Sequence, residues 1–439
     1  MGTINFYFHR IVRPGLFLII LAFVQVAGAQ GLDTLNLEFC YKRAEEVYPL
    51  RKDRALIKQS GEIRVESLKK GYLPQLELSG DMKYLSTVIN MNEIIPFPGY
   101  EIPSPPNDNY GISLALNQII YDGGMIRSKQ NLEIISSQVE DKSLDVELYK
   151  IKESINALYF SILFLQVNDS LFYLSAKELD VKLKQTEAAV SNGAMLSSDK
   201  DVLKAEKINL DQQVLKNKHN QLAVIAALEV YLDTLLSPEV ALIRPVVDLT
   251  FEEQVNRPEY ALFDAQQQKL ELSKQLSMVR RRPVIMGYGE AGYAQPGLNP
   301  VNDGFAPFYI VGLRMKWNFL HWNNTKREKD ILTIQQVRIE NQRETFNKNL
   351  NMGLVKAKEG VLKMQEVLQK DDEIIELRKR IMLSSASKLD NGIIQPSDYI
   401  RDFNKYLLSQ VEQNLHQLLL LQAKFDYLTL KGNTIGNEK

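Results

Sequence analysis

"SNGAMLSSD" (residues 191–199) and "DNGIIQPSD" (residues 390–398) share one pattern: Asn-Gly, four residues, then Ser-Asp, with 199 positions between the two asparagines. Asn-Gly is a strong helix stop, because glycine takes φ > 0 without steric cost. Ser197 or Ser198, and Ser397 after Pro396, suit the N-cap of a following helix. Each phrase therefore predicts the turn of a helical hairpin. The flanking sequence agrees, with helical patterns over about 125–190 and 199–236, and again over 325–389 and 398–432. At 1.5 Å per residue the outgoing helices would each be roughly 100 Å long.

Two hairpins 199 residues apart imply a duplication, and other anchors support it. Pro49 and Pro74 are 25 apart, as are Pro258 and Pro283. "NQIIYDGG" (117–124) parallels "WNFLHWNN" (317–324) at an offset of 200. Anchors kept in order predict two repeats, 30–245 and 246–439, with a seam near "SPEVALIRPVVDLT" (237–250). Each repeat opens with a helical stretch, about 38–70 or 251–282, ending in Lys69 and Lys70 or in Arg280, Arg281 and Arg282. Such cations suit a helix C-terminus or lipid phosphates.

The period then changes to two, predicting strand pairs over 73–85 and 109–121, and over 283–294 and 308–319. Tyr110, Ile112, Leu114 and Leu116 alternate with Gly111, Ser113, Ala115 and Asn117, and Tyr309, Val311, Leu313 and Met315 alternate with Gly312, Arg314 and Lys316. This alternation fits a half-buried sheet or a lipid-facing barrel wall. Pro/Gly/Asn-rich loops join the strands of each pair. Four strands can neither close a barrel nor hide their edges, so lipid exposure would require several chains, and three would supply roughly a dozen strands.

In the second long helix, Leu354, Val361, Leu368, Ile375 and Met382 recur every seven residues, the spacing of a coiled coil. Asp371 and Arg378 interrupt the companion positions, which suggests a helix face on a wet lumen. Asp371 and Asp372 suit a solvated face or an acidic constriction.

The chain has 439 residues and a net charge of −1, so no broad positive field recruits nucleic acid. Its first residues combine His9, Arg10 and Arg13 with an apolar run at 16–24 and Ala27-Gly28-Ala29. That is the form of a cleavable export signal over 1–29. No later segment reads as a transmembrane helix, since "LLLLQAKF" (418–425) is interrupted by Gln422 and Lys424. A single cysteine, Cys40, allows no intrachain disulfide. His9, His219, His321 and His416 share no ligand spacing, and neither a phosphate-binding loop nor a nucleophile elbow is present. The expectation is a non-enzymatic chain without cofactor or metal.

With its signal, "GYLPQLELSG" (71–80), "LALNQIIYDGG" (114–124), duplicated halves and Asn-Gly turns, the sequence resembles the TolC family of outer-membrane efflux and secretion channels over the whole mature chain. The resemblance implies a mainly α fold with a small β part. Duplicated strand–long-helix-hairpin repeats would form a trimeric outer-membrane β-barrel, four strands per chain, continued by a periplasmic α-helical coiled-coil tunnel. It implies a homotrimer in the outer membrane of a diderm bacterium, a passive exit duct for tripartite efflux or type I secretion. Energy would come from an inner-membrane pump reached through a periplasmic adaptor. By position, the adaptor-binding tips would be Asn192, Gly193, Ala194, Met195 and Leu196, with Asn391, Gly392, Ile393 and Ile394. Asn192 and Asn391 stand where family members commonly have valine. The eight alternating residues of the second strand in each pair would face outer-membrane lipid. The alternative is a periplasmic coiled-coil scaffold whose strands form a small soluble sheet. It would need a layer covering Tyr110, Ile112, Leu114 and Leu116.

Overall fold

The computed structural model describes residues 32–94, 98–99, 104–247, 249, 251, 254–299, 304–320 and 322–432; the export signal expected over 1–29 lies outside them. In chain order the elements begin with β1 (Leu32–Leu35), α1 (Leu37–Val47), α2 (Asp53–Lys69) and β2 (Gln75–Tyr84). A single turn α3 (Met91–Ile94) in the following loop precedes β3 (Asp108–Tyr121), α4 (Met125–Ser191), α5 (Ser197–Leu232) and β4 (Leu236–Leu242). The second half contains α6 (Pro258–Val279), β5 (Val284–Gln295), β6 (Ala306–Lys316), α7 (Asn324–Asp390) and α8 (Pro396–Lys431).

The two outgoing helices, α4 and α7, are each 67 residues long, and the returning helices, α5 and α8, are each 36. Both long helices start 199 residues apart, so the structural offset at the strand-to-helix turn is 199 and not 200. Gly123 and Gly124 thus correspond to Trp322 and Asn323. All four residues have positive φ, at 69°, 92°, 43° and 59°. The turn geometry fixes this alignment, whereas the sequence alignment had matched side-chain character.

Prolines reset the helices leading into the strands. The stretch expected to be one helix from 38 to 70 is broken at Pro49, whose 3-10 turn (Pro49–Lys52) separates α1 from α2. Its counterpart starts only at Pro258, because proline is tolerated in the first helical turn and resisted further in.

Among the described residues there are two apolar cores. The larger gathers Leu35, Cys40, Ile155, Phe160, Leu228 and Phe425 from β1, α1, α4, α5 and α8. Here β1 pairs in parallel with β4 inside the expected seam, and the Tyr159 hydroxyl donates to Leu35 O (3.0 Å) and Ile243 O (2.6 Å). Burial pushes the Cys40 thiol up to about 12, which leaves it unreactive at neutral pH. The second core packs Leu179, Leu203, Met382, Tyr399 and Phe403 near the hairpin tips.

Among the described residues one helix, α4, is long and apolar enough to cross a membrane, where the sequence reading expected none. Its Ile155, Tyr159, Phe160 and Ile162 are instead the centre of the larger core.

Of the polar positions of the α7 seam, Asp371 finds a partner, as does Ser385 further along the helix. Asp371 is buried and lies 2.6 Å from His416 Nδ1 on α8, and Ser385 donates to Asp402 of α8 at 2.6 Å. These two groups are satisfied within the hairpin.

Candidate channel wall and helical tips

The strands β2, β3, β5 and β6 form one antiparallel sheet in the order β2-β3-β5-β6, leaving β2 and β6 as open edges. Register decides which side chains share a face, since directly opposed residues project the same way. Leu78 opposes Leu114, Leu114 opposes Ala291, and Ala291 opposes Tyr309. The same rule places Tyr110, Ile112, Leu114, Leu116, Tyr309, Val311, Leu313 and Met315 together on one face. That face carries no charged residue apart from Asp108 at its far end.

It is also uncovered. Leu78 is 71 % exposed, Val311 80 % and Leu313 75 %. The opposite face collects the other charges of the sheet: Glu77, Asp81, Lys83, Glu290, Arg314 and Lys316. On it Lys83 pairs with Asp81 at 2.7 Å, and the Arg314 guanidinium lies 4.7 Å from the Tyr288 ring centre. Gly312 makes room for that ring, because a Cβ there would stand 2.8 Å from it.

At the opposite end of the long helices lie the two tips. Each helix closes with a pair of Schellman hydrogen bonds. In the first, Gly193 N–H donates to Val190 O (3.0 Å) and Ala194 N–H to Ala189 O (2.8 Å). The second repeats this with Gly392 to Leu389 O and Ile393 to Lys388 O, both 2.9 Å. The two glycines sit at φ 75° and 69° with open space around the missing Cβ. The following N-caps are Leu196 and Gln395, not the serines. Ser197 and Pro396 occupy the first helical position, and the Asp199 carboxylate accepts from the Leu196 N–H at 3.0 Å.

Seven of the nine expected tip residues line one shallow groove, Asn192 and Asn391 standing outside it, and the seven divide by role. Leu196 and Ile393 are exposed by 70 % and 69 %, while Met195 and Ile394 pack against the lower core beside Tyr399. The apolar surface offered at the tips is thus smaller than the sequence suggested. Lys182 of α4 pairs with Asp390 of α7 at 2.7 Å and stands 5.9 Å from the Tyr399 ring centre, tying the two hairpins together above the groove.

His219 is exposed on α5, and His321 lies outside the described residues. Among the described residues no group of three or more His, Cys, Asp or Glu is placed to hold a metal ion.

No family model and no curated protein matches the sequence. Solved structures do match its fold. The outer-membrane protein VceC of Vibrio cholerae is 12 % identical, with a TM-score of 0.66 covering 90 % of this chain and 96 % of that one. The CmeC outer-membrane channel of Campylobacter jejuni is 13 % identical, with a TM-score of 0.63 and coverage of 90 % and 85 %. The MtrE outer-membrane channel of Neisseria gonorrhoeae, in its open state, is 11 % identical, with a TM-score of 0.63 and coverage of 90 % and 89 %. The chain therefore has the TolC-like fold of outer-membrane channels, mainly helical with four antiparallel strands.

Proposed function

We propose that the chain is one protomer of a passive trimeric outer-membrane channel, the exit duct of a tripartite efflux or type I secretion system. One observation carries this: a four-stranded sheet with one exposed apolar face charged only at Asp108 on its far end, one charged face and two open edges. A soluble scaffold would have to cover the apolar face, and among the described residues no element packs on it. In a bilayer that face meets acyl chains, and backbone satisfaction demands closure. Joining β6 of one chain to β2 of the next would close the sheet, and three chains would supply roughly a dozen strands. Isoleucines and valines left exposed along α7, such as Ile331, Ile334, Val337 and Val355, give the helices surface to bury in the same assembly.

The tips would meet a periplasmic adaptor through Leu196 and Ile393, flanked by Asn192, Gly193, Ala194, Asn391 and Gly392. An inner-membrane pump would act through that adaptor. The test is the protein mass of the detergent-extracted mature chain by light scattering, after separation of the membrane fractions. A trimer from the outer membrane is expected; a soluble monomer or dimer would replace the channel with the scaffold.

A further inference from the structure

The sequence holds two tryptophans, Trp317 and Trp322, and both fall in the stretch "WNFLHW" that links β6 to α7. Trp317, Phe319, Leu320 and Trp322 are exposed by 53, 74, 54 and 77 %. Four large apolar side chains so close together leave much oily surface uncovered by the protomer. Trp322 also adopts φ 43°, a backbone region that bulky residues avoid, where the first repeat has Gly123. A large ring kept at a strained position points to a contact outside the protomer.

Position indicates what that contact is. The stretch begins where β6 loses its pairing, at the helical end of the sheet. Tyr309, Val311, Leu313 and Met315 form the exposed stripe of β6, and Trp317 and Phe319 extend the same odd-numbered series. Cations surround it. Arg280 and Arg281 follow α6, Lys326 and Arg327 lie in the first turn of α7, and all four are exposed. Trp317 Nε1–H donates to the Arg281 carbonyl at 3.0 Å, which holds the indole beside the arginines, and its ring meets Phe319 edge-on at 6.0 Å. Glu328 neutralises part of this charge by pairing with Arg280 at 3.1 Å. Indoles next to cations, at the end of an apolar wall, match the chemistry of a bilayer interface, where rings sit at headgroup level and cations meet phosphates.

We propose that Trp317, Phe319, Leu320 and Trp322 seat in the headgroup–acyl boundary of the leaflet nearer the helices, with Arg281, Lys326 and Arg327 facing lipid phosphates. The strand-to-helix linker of the second repeat is then a membrane-depth anchor with two indoles, where the first repeat has Gln118 and Gly123 and exposes only Ile120 and Tyr121. This rests on the channel reading.

Tryptophan fluorescence reports on this stretch alone. The mature chain is reconstituted into phosphatidylethanolamine–phosphatidylglycerol vesicles brominated near the ester end or near the methyl end of the acyl chains. Trp317→Phe and Trp322→Phe separate the two signals. Insertion is read independently, by protection of the strands from protease. Quenching by about twofold or more from ester-end bromine, and less from methyl-end bromine, is expected for an indole at interfacial depth. Emission unaffected by bromine in inserted, protected protein would overturn the anchor and leave the channel standing. Blue-shifted emission with that result would mean that a second copy covers the rings. Failure to insert would overturn both. Trp322→Gly supplies a second test, because it relieves the strained φ while deleting the ring. Its detergent-solubilised assembly should melt no lower than wild type, yet release from vesicles more readily in alkaline wash. Unchanged retention would count against the anchor.

Discussion

At the residue scale, the tips separate exposed side chains from packed ones. Ile393 and Leu196 project into solvent, whereas Ile394 helps close the lower core. Ile393→Glu or Leu196→Glu should therefore abolish export while the assembled channel keeps its thermal stability. Ile394→Glu should lower the melting temperature as well, because it introduces a charge at the edge of an apolar cluster. Full export by the Ile393 and Leu196 variants would remove these residues from the adaptor contact. A second residue-level effect sits higher on α8. Asp426 keeps part of its side chain in solvent, yet burial against neighbouring helices, with Glu153 adding repulsion, pushes its carboxyl up to about 6 from 3.8. An acid that holds its proton more tightly in the folded chain stabilises the fold increasingly as pH drops from about 6 towards about 4. Asp426→Asn should flatten that slope and raise the melting temperature at neutral pH, as scanning calorimetry in detergent would detect. None of this was legible in the sequence, where Ile393 and Ile394 read alike and Asp426 is one acid among many.

At the scale of elements, the turns were the most legible part of the chain. Asn-Gly dictates a left-handed residue within a few positions, and the structure supplies it at both tips. Gly392→Ala should cost about 1 kcal/mol, since the space is open and only the backbone conformation resists. Thermal melts of the purified assembly would measure it; an unchanged melting temperature would mean the turn relaxes. The N-caps were misplaced by one or two residues because Pro396 and Ser197 are already inside the first turn. The α7 heptad was visible too, but the fate of its polar positions was not. Asp371 and His416 are 45 residues apart, and only the hairpin brings them within 2.6 Å.

On the scale of the molecule, the sheet carries the proposed function, and its two faces make a quantitative contrast. Val311→Arg puts a cation in the apolar stripe and should cost about 2–4 kcal/mol of barrel stability near the bilayer midplane. Glu290→Gln, on the charged face of the neighbouring strand, should leave stability nearly unchanged and alter ion selectivity. Urea titration in vesicles and planar-bilayer conductance would check the pair; equal sensitivity at the two sites would contradict a lipid-facing wall.

What the sequence determined by itself is periodic or local: the duplication, the alternating strands, the long helices and the glycine stops. Each is encoded within a few residues and repeated along the chain, so it survives without knowledge of neighbours. Tertiary structure decided what depends on residues far apart. It set the order β2-β3-β5-β6, the parallel pairing of β1 with β4 across more than 200 positions, and the offset that aligns Trp322 with Gly123. Four residues of β1 carry no period of their own, and their strand exists because β4 and Tyr159 satisfy its backbone. The exposure that separates Ile393 from Ile394 likewise arises only once two hairpins pack side by side.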